Sequence, residues 1–238
     1  MSNKKCHVLL SMNHFNEEPS NYEQKCLCVL VLDTSGSMSV PAVNPAISQL
    51  NAGLKSFQNE LLKDEVTRDR LEVAIITFDS QVKLIQDPEL LTAFTMPTLD
   101  TGTTTAMVDG ISKAIDLVTE RKNYYKNHGI PYYRPWIVMM TDGEPDRDQD
   151  VDGMAERIKM AHKNKEFVFM AIGVGNNINE RVLAKLSTPD FPPMKMQAVK
   201  FCEFFTWLSN SMSTISTSDG SPVQLENPSS WLDNMITQ

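Results

Sequence analysis

The stretch CVLVLDTSGSMS, residues 28–39, runs apolar residues straight into an aspartate and then places Asp33, Ser35 and Ser37 on alternate positions. A run without polar interruption suits a strand covered on both faces, as in a parallel sheet flanked by helices. Three further stretches share this character: LEVAIITFD (71–79), WIVMMTD (136–142) and FVFMAIGVG (167–175). Between them lie segments of helical period at 45–63, 105–123, 151–164, 178–186 and 201–215, the last with Phe201, Phe204, Phe205 and Leu208 on one stripe. Strands alternating with helices predict an α/β fold: a doubly wound, mostly parallel Rossmann-like sheet with helices on both faces. In such sheets ligands sit beyond the carboxyl ends of the strands, where DTSGS falls. YYKNHGIPYYRP (124–135) reads as a loop insertion, and no internal repeat is visible.

Length and charge narrow the possible functions. The chain has 238 residues, a formal charge of -8 and a pI near 5.0. That length suits one large domain. Nothing in this balance offsets phosphate repulsion, and no block of five Lys or Arg occurs, so neither nucleic acid nor an anionic membrane is expected as partner. The four cysteines, Cys6, Cys26, Cys28 and Cys202, follow no zinc or disulfide spacing, which points to a reducing compartment. The start MSNKKCHVLLSMNHF has too short an apolar run for a secretory signal, and no stretch approaches the roughly 20 apolar residues of a membrane helix. The expected location is the cytoplasm.

Three loops are expected to meet at one sheet edge: DTSGSM, DTGTTTAMVDG (100–110) and MTDGEPD (140–146). All supply carboxylates or hydroxyls and almost no basic groups. Hard oxygens of mixed charge, without His or Cys, suit Mg²⁺ or Mn²⁺. With only one or two carboxylates bound, the ion keeps positive charge and can accept an anionic oxygen from outside. Each loop also has a plainer reading as a turn or helix cap, and it is their combination that points to an ion.

These residues carry a resemblance. Asp33-Thr-Ser35-Gly-Ser37, the threonine after Gly102, and Thr141-Asp142-Gly143 resemble the three parts of a metal-ion-dependent adhesion site in a von Willebrand factor A domain. The resemblance covers residues 25–215, leaving 1–24 as an N-terminal extension and 216–238 as a polar tail. It implies that Asp33, Ser35, Ser37, Thr103 and Asp142 hold Mg²⁺ or Mn²⁺, although Thr104 and Thr105 directly follow Thr103 and offer the same hydroxyl. ITFDS, GTTT, TDGEPD and FFTWLSNSMS further resemble the bacterial TerY-like branch linked to tellurium resistance. That branch is encoded beside a protein kinase and a PP2C-type phosphatase, which implies an adaptor that binds a protein partner through an acidic residue.

Other motifs compete. DTSGS also resembles the aspartyl-phosphate loop of haloacid-dehalogenase-like enzymes, with Asp33 as nucleophile and Asp142 and Asp146 on an acidic Mg²⁺ loop. That chemistry needs a nearby lysine for the phosphoryl charge, and the sequence offers Lys113 and Lys122 within a helix rather than one at a strand end. Position 34 is Thr, which lacks the second carboxylate of a phosphatase, and GTTT has no role in this reading. A binding module, not an enzyme, is therefore expected. DQDVDG (148–153) matches the first half of an EF-hand, but the twelfth position is Lys159, so acidic capping of the helix at 151 is preferred. GVGNNI (173–178) lacks the third glycine of a dinucleotide loop.

Overall fold

The computed structural model describes residues 18–39, 45–142, 144–174, 178–196, 200–218, 223–225, 228 and 232–235. The four apolar stretches form the sheet's middle as β1 (Cys26–Asp33), β2 (Leu71–Phe78), β4 (Trp136–Thr141) and β5 (Val168–Val174), every residue buried. They pair in parallel, with β1 between β2 and β4. An outer antiparallel strand, β3 (Val82–Leu90), lies beside β2, while β6 (Met194–Met196) and β7 (Leu232–Met235) extend the far edge. Among the described residues the order is thus β3-β2-β1-β4-β5-β6-β7.

Alternation along β1 divides the core between the two faces. Cys26, Cys28, Leu30 and Leu32 belong to the cluster that includes α1 (Ala46–Leu61) and α6 (Phe201–Thr217). Leu27, Val29 and Val31 belong to the cluster built with α3 (Met107–Asn127), α4 (Val151–Lys163) and α5 (Glu180–Leu186). Burial of these apolar faces is the main stabilising contribution. Between α1 and α6 the backbones approach so closely that a Cβ at Gly53 would lie 2.7 Å from the Phe205 ring. Any larger residue there would wedge the two helices apart.

The predicted helices are present, with three differences. The segment expected as a loop at 124–135 begins as helix, because α3 continues to Asn127 and buries Tyr124 and Tyr125. It stops at Gly129, whose φ of 67° a side chain would disfavour. A short helix, α2 (Glu65–Arg70), precedes β2, its N-cap Asp64 accepting from the Val66 N–H. The stretch read as a polar tail contributes β7, antiparallel to β6. Most of the N-terminal extension lies outside the described residues, as do Gly175 to Asn177 of the GVGNNI motif. Among the described residues no helix is long and apolar enough to cross a membrane.

Candidate functional site at the carboxyl edge of the sheet

Asp33 ends β1 fully buried, and each of its oxygens has a donor. Oδ1 accepts the Ser35 N–H at 2.8 Å, and Oδ2 accepts the Thr141 hydroxyl at 2.6 Å. The first bond folds the chain back into the short 3-10 turn Gly36–Ser39, which aims Ser35 and Ser37 the same way. Ser35 Oγ lies 3.0 Å from Ser37 Oγ, and Ser37 donates to Asp142 Oδ1 at 2.7 Å. Because β1 and β4 are neighbours, Asp142, one residue beyond β4, reaches this chain of oxygens. Four of the five sequence-expected residues are thereby joined in one cluster.

Thr103 joins through its backbone. Its carbonyl accepts the Gly36 N–H at 3.2 Å, and the neighbouring Gly102 N–H donates to the Thr34 carbonyl at 2.6 Å, so the GTTT loop is laid along DTSGS. The Thr103 and Thr104 side chains are exposed while Thr105 is buried. The structure thus favours the two exposed hydroxyls over Thr105 as outward-facing donors.

Burial pushes the Asp33 carboxyl up to about 6; its hydrogen bonds to Ser35 and Thr141 act against this, and the nearby Asp142 charge adds to it. Burial also raises Asp142, opposed by the bond from Ser37. Neither carboxylate has an ion-pair partner among the described residues. Two carboxylates raised by desolvation, with two hydroxyls and no cation, form a donor set that suits a hard divalent ion such as Mg²⁺ or Mn²⁺. Among the described residues no group of three or more His, Cys, Asp or Glu gathers into a metal-holding cluster, so an ion at this edge would have to rely on the hydroxyls.

Three residues outside the expected ligand set hold the loops in place. Asp146 takes the Thr105 N–H on both carboxylate oxygens, at 3.3 and 3.2 Å, and returns its own N–H to the Thr105 carbonyl at 3.0 Å. Helix α3 has no side-chain cap of its own, and Gln149, three residues beyond the third loop, supplies one, its Oε1 accepting from Val108 at 2.8 Å and Asp109 at 3.2 Å. Asp79, just past β2, accepts from Gln81 N–H and presses on Gly102, where a Cβ would sit 2.3 Å from its Oδ2. Only the aspartate-glycine pairing across two loops could have signalled this last contact, and the two residues are far apart in sequence. Within DQDVDG, Asp150 caps α4 by accepting from Gly153 and Asp152 pairs with Lys185 at 2.6 Å, so the stretch acts as a helix start. Lys122 donates to the Glu166 carbonyl, which precedes β5, at the opposite end of the sheet from Asp33.

A doubly wound sheet with an oxygen-rich triplet of loops at the carboxyl ends of its central strands defines the class. The chain belongs to the von Willebrand factor type A domain family, whose profile matches residues 28–204. No curated protein matches the sequence. Among solved structures, the pilus adhesin SpaC from Lactobacillus rhamnosus GG aligns with TM-score 0.60 at 13% identity, over 82% of this chain and 31% of that one. The conserved hypothetical protein BatB from Bacteroides thetaiotaomicron aligns with TM-score 0.54 at 16% identity, over 81% of this chain and 100% of its own. The ArnB paralog VWA2 from Sulfolobus acidocaldarius aligns with TM-score 0.53 at 17% identity, over 80% of this chain and 46% of that one. This chain therefore spans less than half of the archaeal protein and of the adhesin. At such identities the likeness is one of fold.

Proposed function

We propose that this chain is a metal-dependent protein-interaction module rather than an enzyme. In this reading Asp33, Ser35, Ser37, Asp142 and a threonine of the GTTT loop, Thr103 first among them, hold one Mg²⁺ or Mn²⁺ in a metal-ion-dependent adhesion site. The observation that carries it is the hydrogen-bonded cluster Ser35–Ser37–Asp142 against buried Asp33, with no cation paired to its carboxylates among the described residues. When bound, the ion supplies a Lewis-acidic position for a carboxylate oxygen of a partner protein. The chain's part is to fix the oxygens and to keep their charge low enough that the ion still attracts an anion. The family resemblance suggests a cytoplasmic adaptor in a bacterial stress-response or signalling system, with a protein kinase or PP2C-type phosphatase as partner.

Titration calorimetry tests the first step: one divalent site in the wild type, lost in Asp33→Ala with the fold retained by circular dichroism. Absence of divalent binding in the wild type would overturn the reading. Binding to the kinase or phosphatase, measured with Mg²⁺ and then EDTA, tests the second. Removing the ion should weaken the complex by about 2–5 kcal/mol, as for one partner of a buried charge pair. Incubation with acetyl phosphate and Mg²⁺ should leave Asp33 unmodified by intact mass. A stoichiometric, hydroxylamine-labile adduct there would favour a phosphotransferase instead.

A further inference from the structure

On the other side of the DTSGS loop from Asp142, the ends of β1, β2 and β3 line a half-open cavity of about 180 Å³. Roughly ten times what one water needs, it is large enough for a side chain. Its polar wall is made by Asp79, Asp100, Lys83, Thr34, Thr77 and Thr98. Thr34 is the residue between Asp33 and Ser35, so the cavity and the oxygen cluster share a wall. We propose that this cavity receives a lysine or arginine side chain from the protein partner, beside the carboxylate that the oxygen cluster takes.

Charge and shape both argue for a base. Two carboxylates face one ammonium, which leaves net negative charge. Asp79 is buried and immobilised: its Oδ1 accepts from Gln81 N–H at 2.9 Å and from Ser80 Oγ at 3.1 Å. Its Oδ2 packs against Gly102, and its one charged contact is loose, 3.9 Å from the Lys83 ammonium, whose side chain is about half exposed. A carboxylate oxygen held this firmly and served this weakly is a ready acceptor for a better-placed cation. Leu99 and Ile85 line the same space and give an aliphatic stem something to lie against. The chain's own Lys83 acts as a weak internal competitor, a half-exposed side chain that an incoming base displaces.

The assignment to a partner protein rests on the proposed interaction function, whereas the cavity's preference for a cation does not require a metal. The test therefore uses the full chain in EDTA, with Nα-acetyl-arginine methylamide as probe and backbone amide NMR shifts as readout. Saturable shifts are expected at Thr34, Thr77, Asp79 and residues 98–100, and none from the norleucine analogue. Asp100→Asn, a change at an exposed residue, should weaken binding about two- to five-fold, and Lys83→Met should tighten it by a similar factor, the range of an exposed ion pair. Three results would overturn the proposal: no saturable shift up to the solubility of the probe, equal shifts from norleucine, or weaker binding in Lys83→Met. Shifts of the same amides by acetate, abolished in Lys83→Met, would make the cavity an anion site. A chain that binds arginine but no divalent ion would overturn the metal reading alone.

Discussion

A carboxylate is buried at each end of this sheet, and the two are treated in opposite ways. At the amino end, Glu72 of β2 receives Arg121 through two 2.7 Å bonds and the Tyr125 hydroxyl at 2.6 Å. At the carboxyl end, Asp33 receives only neutral donors, the Ser35 N–H and the Thr141 hydroxyl. The electrostatic results diverge accordingly. Burial works to lower the Arg121 pKa, yet the bond and charge of Glu72 outweigh it and the guanidinium is held more firmly charged. Burial, with Glu72 beside it, raises the Tyr125 phenol well above its ordinary value, so that it stays a donor. Asp33, with no such cation, is pushed up to about 6, chiefly by burial. One end supplies its own countercharge, and the other has none among the described residues.

Breaking the self-sufficient end should have the largest effect. Arg121→Met leaves Glu72 buried without its cation, and chemical denaturation should show a loss of about 3–5 kcal/mol. Divalent-ion affinity should be unchanged, because the pair lies at the far end of α3.

The next effect sharpens the contrast through pH. A carboxyl with a folded pKa near 6 and an ordinary value of 3.8 binds more protons folded than unfolded between those limits. Stability of the ion-free protein should therefore fall as pH rises from about 4 to 6, and level off above. A shift of about 2 units corresponds to on the order of 3 kcal/mol. Asp142, raised in the same direction, adds to the trend. Denaturation across this range, compared with Asp33→Asn, isolates the Asp33 contribution, since the variant should keep only the part of the fall due to Asp142. Added Mg²⁺, which needs the ionised form, should raise the melting temperature more at pH 7 than at pH 5.

A smaller effect is expected from the loop staple. Asp146→Ala removes the acceptor of the Thr105 N–H and should cost about 1–2 kcal/mol, while weakening divalent binding because the GTTT loop loses its anchor. The smallest comes from Asp150→Ala, which deletes only the α4 N-cap, worth about 1 kcal/mol. It should leave divalent binding untouched. A loss of Ca²⁺ affinity in that variant would show that DQDVDG does more than start a helix.

The central strands were legible because burial on both faces leaves near-continuous apolar runs. The outer strands were not. In β3, VKLIQDPEL mixes charge and proline, as an exposed edge permits, and its pairing is decided by the Asp79–Gln81 turn. β6 has three residues, too few for any period, and β7 sits in a stretch whose composition reads as solvent-loving. Within the site, Asp33, Ser35, Ser37 and Asp142 were readable because each loop carries its oxygens in a short local pattern. Asp79, Asp146 and Gln149 act across loops distant in sequence, on glycine space and backbone N–H groups, and no local pattern encodes that.

The capping of α3 by Gln149, together with the reciprocal Asp146–Thr105 bonds, also bears on how fast and how tightly a partner can associate. Fixing one residue's backbone costs about 1–2 kcal/mol of conformational entropy. In loops two and three that ordering is completed during folding by bonds internal to the chain. On the proposed function, a partner would meet these bonded segments already held in place, and association should resemble rigid docking, with little slowing from their rearrangement. Differences in affinity between partners would then be expressed mainly as differences in residence time.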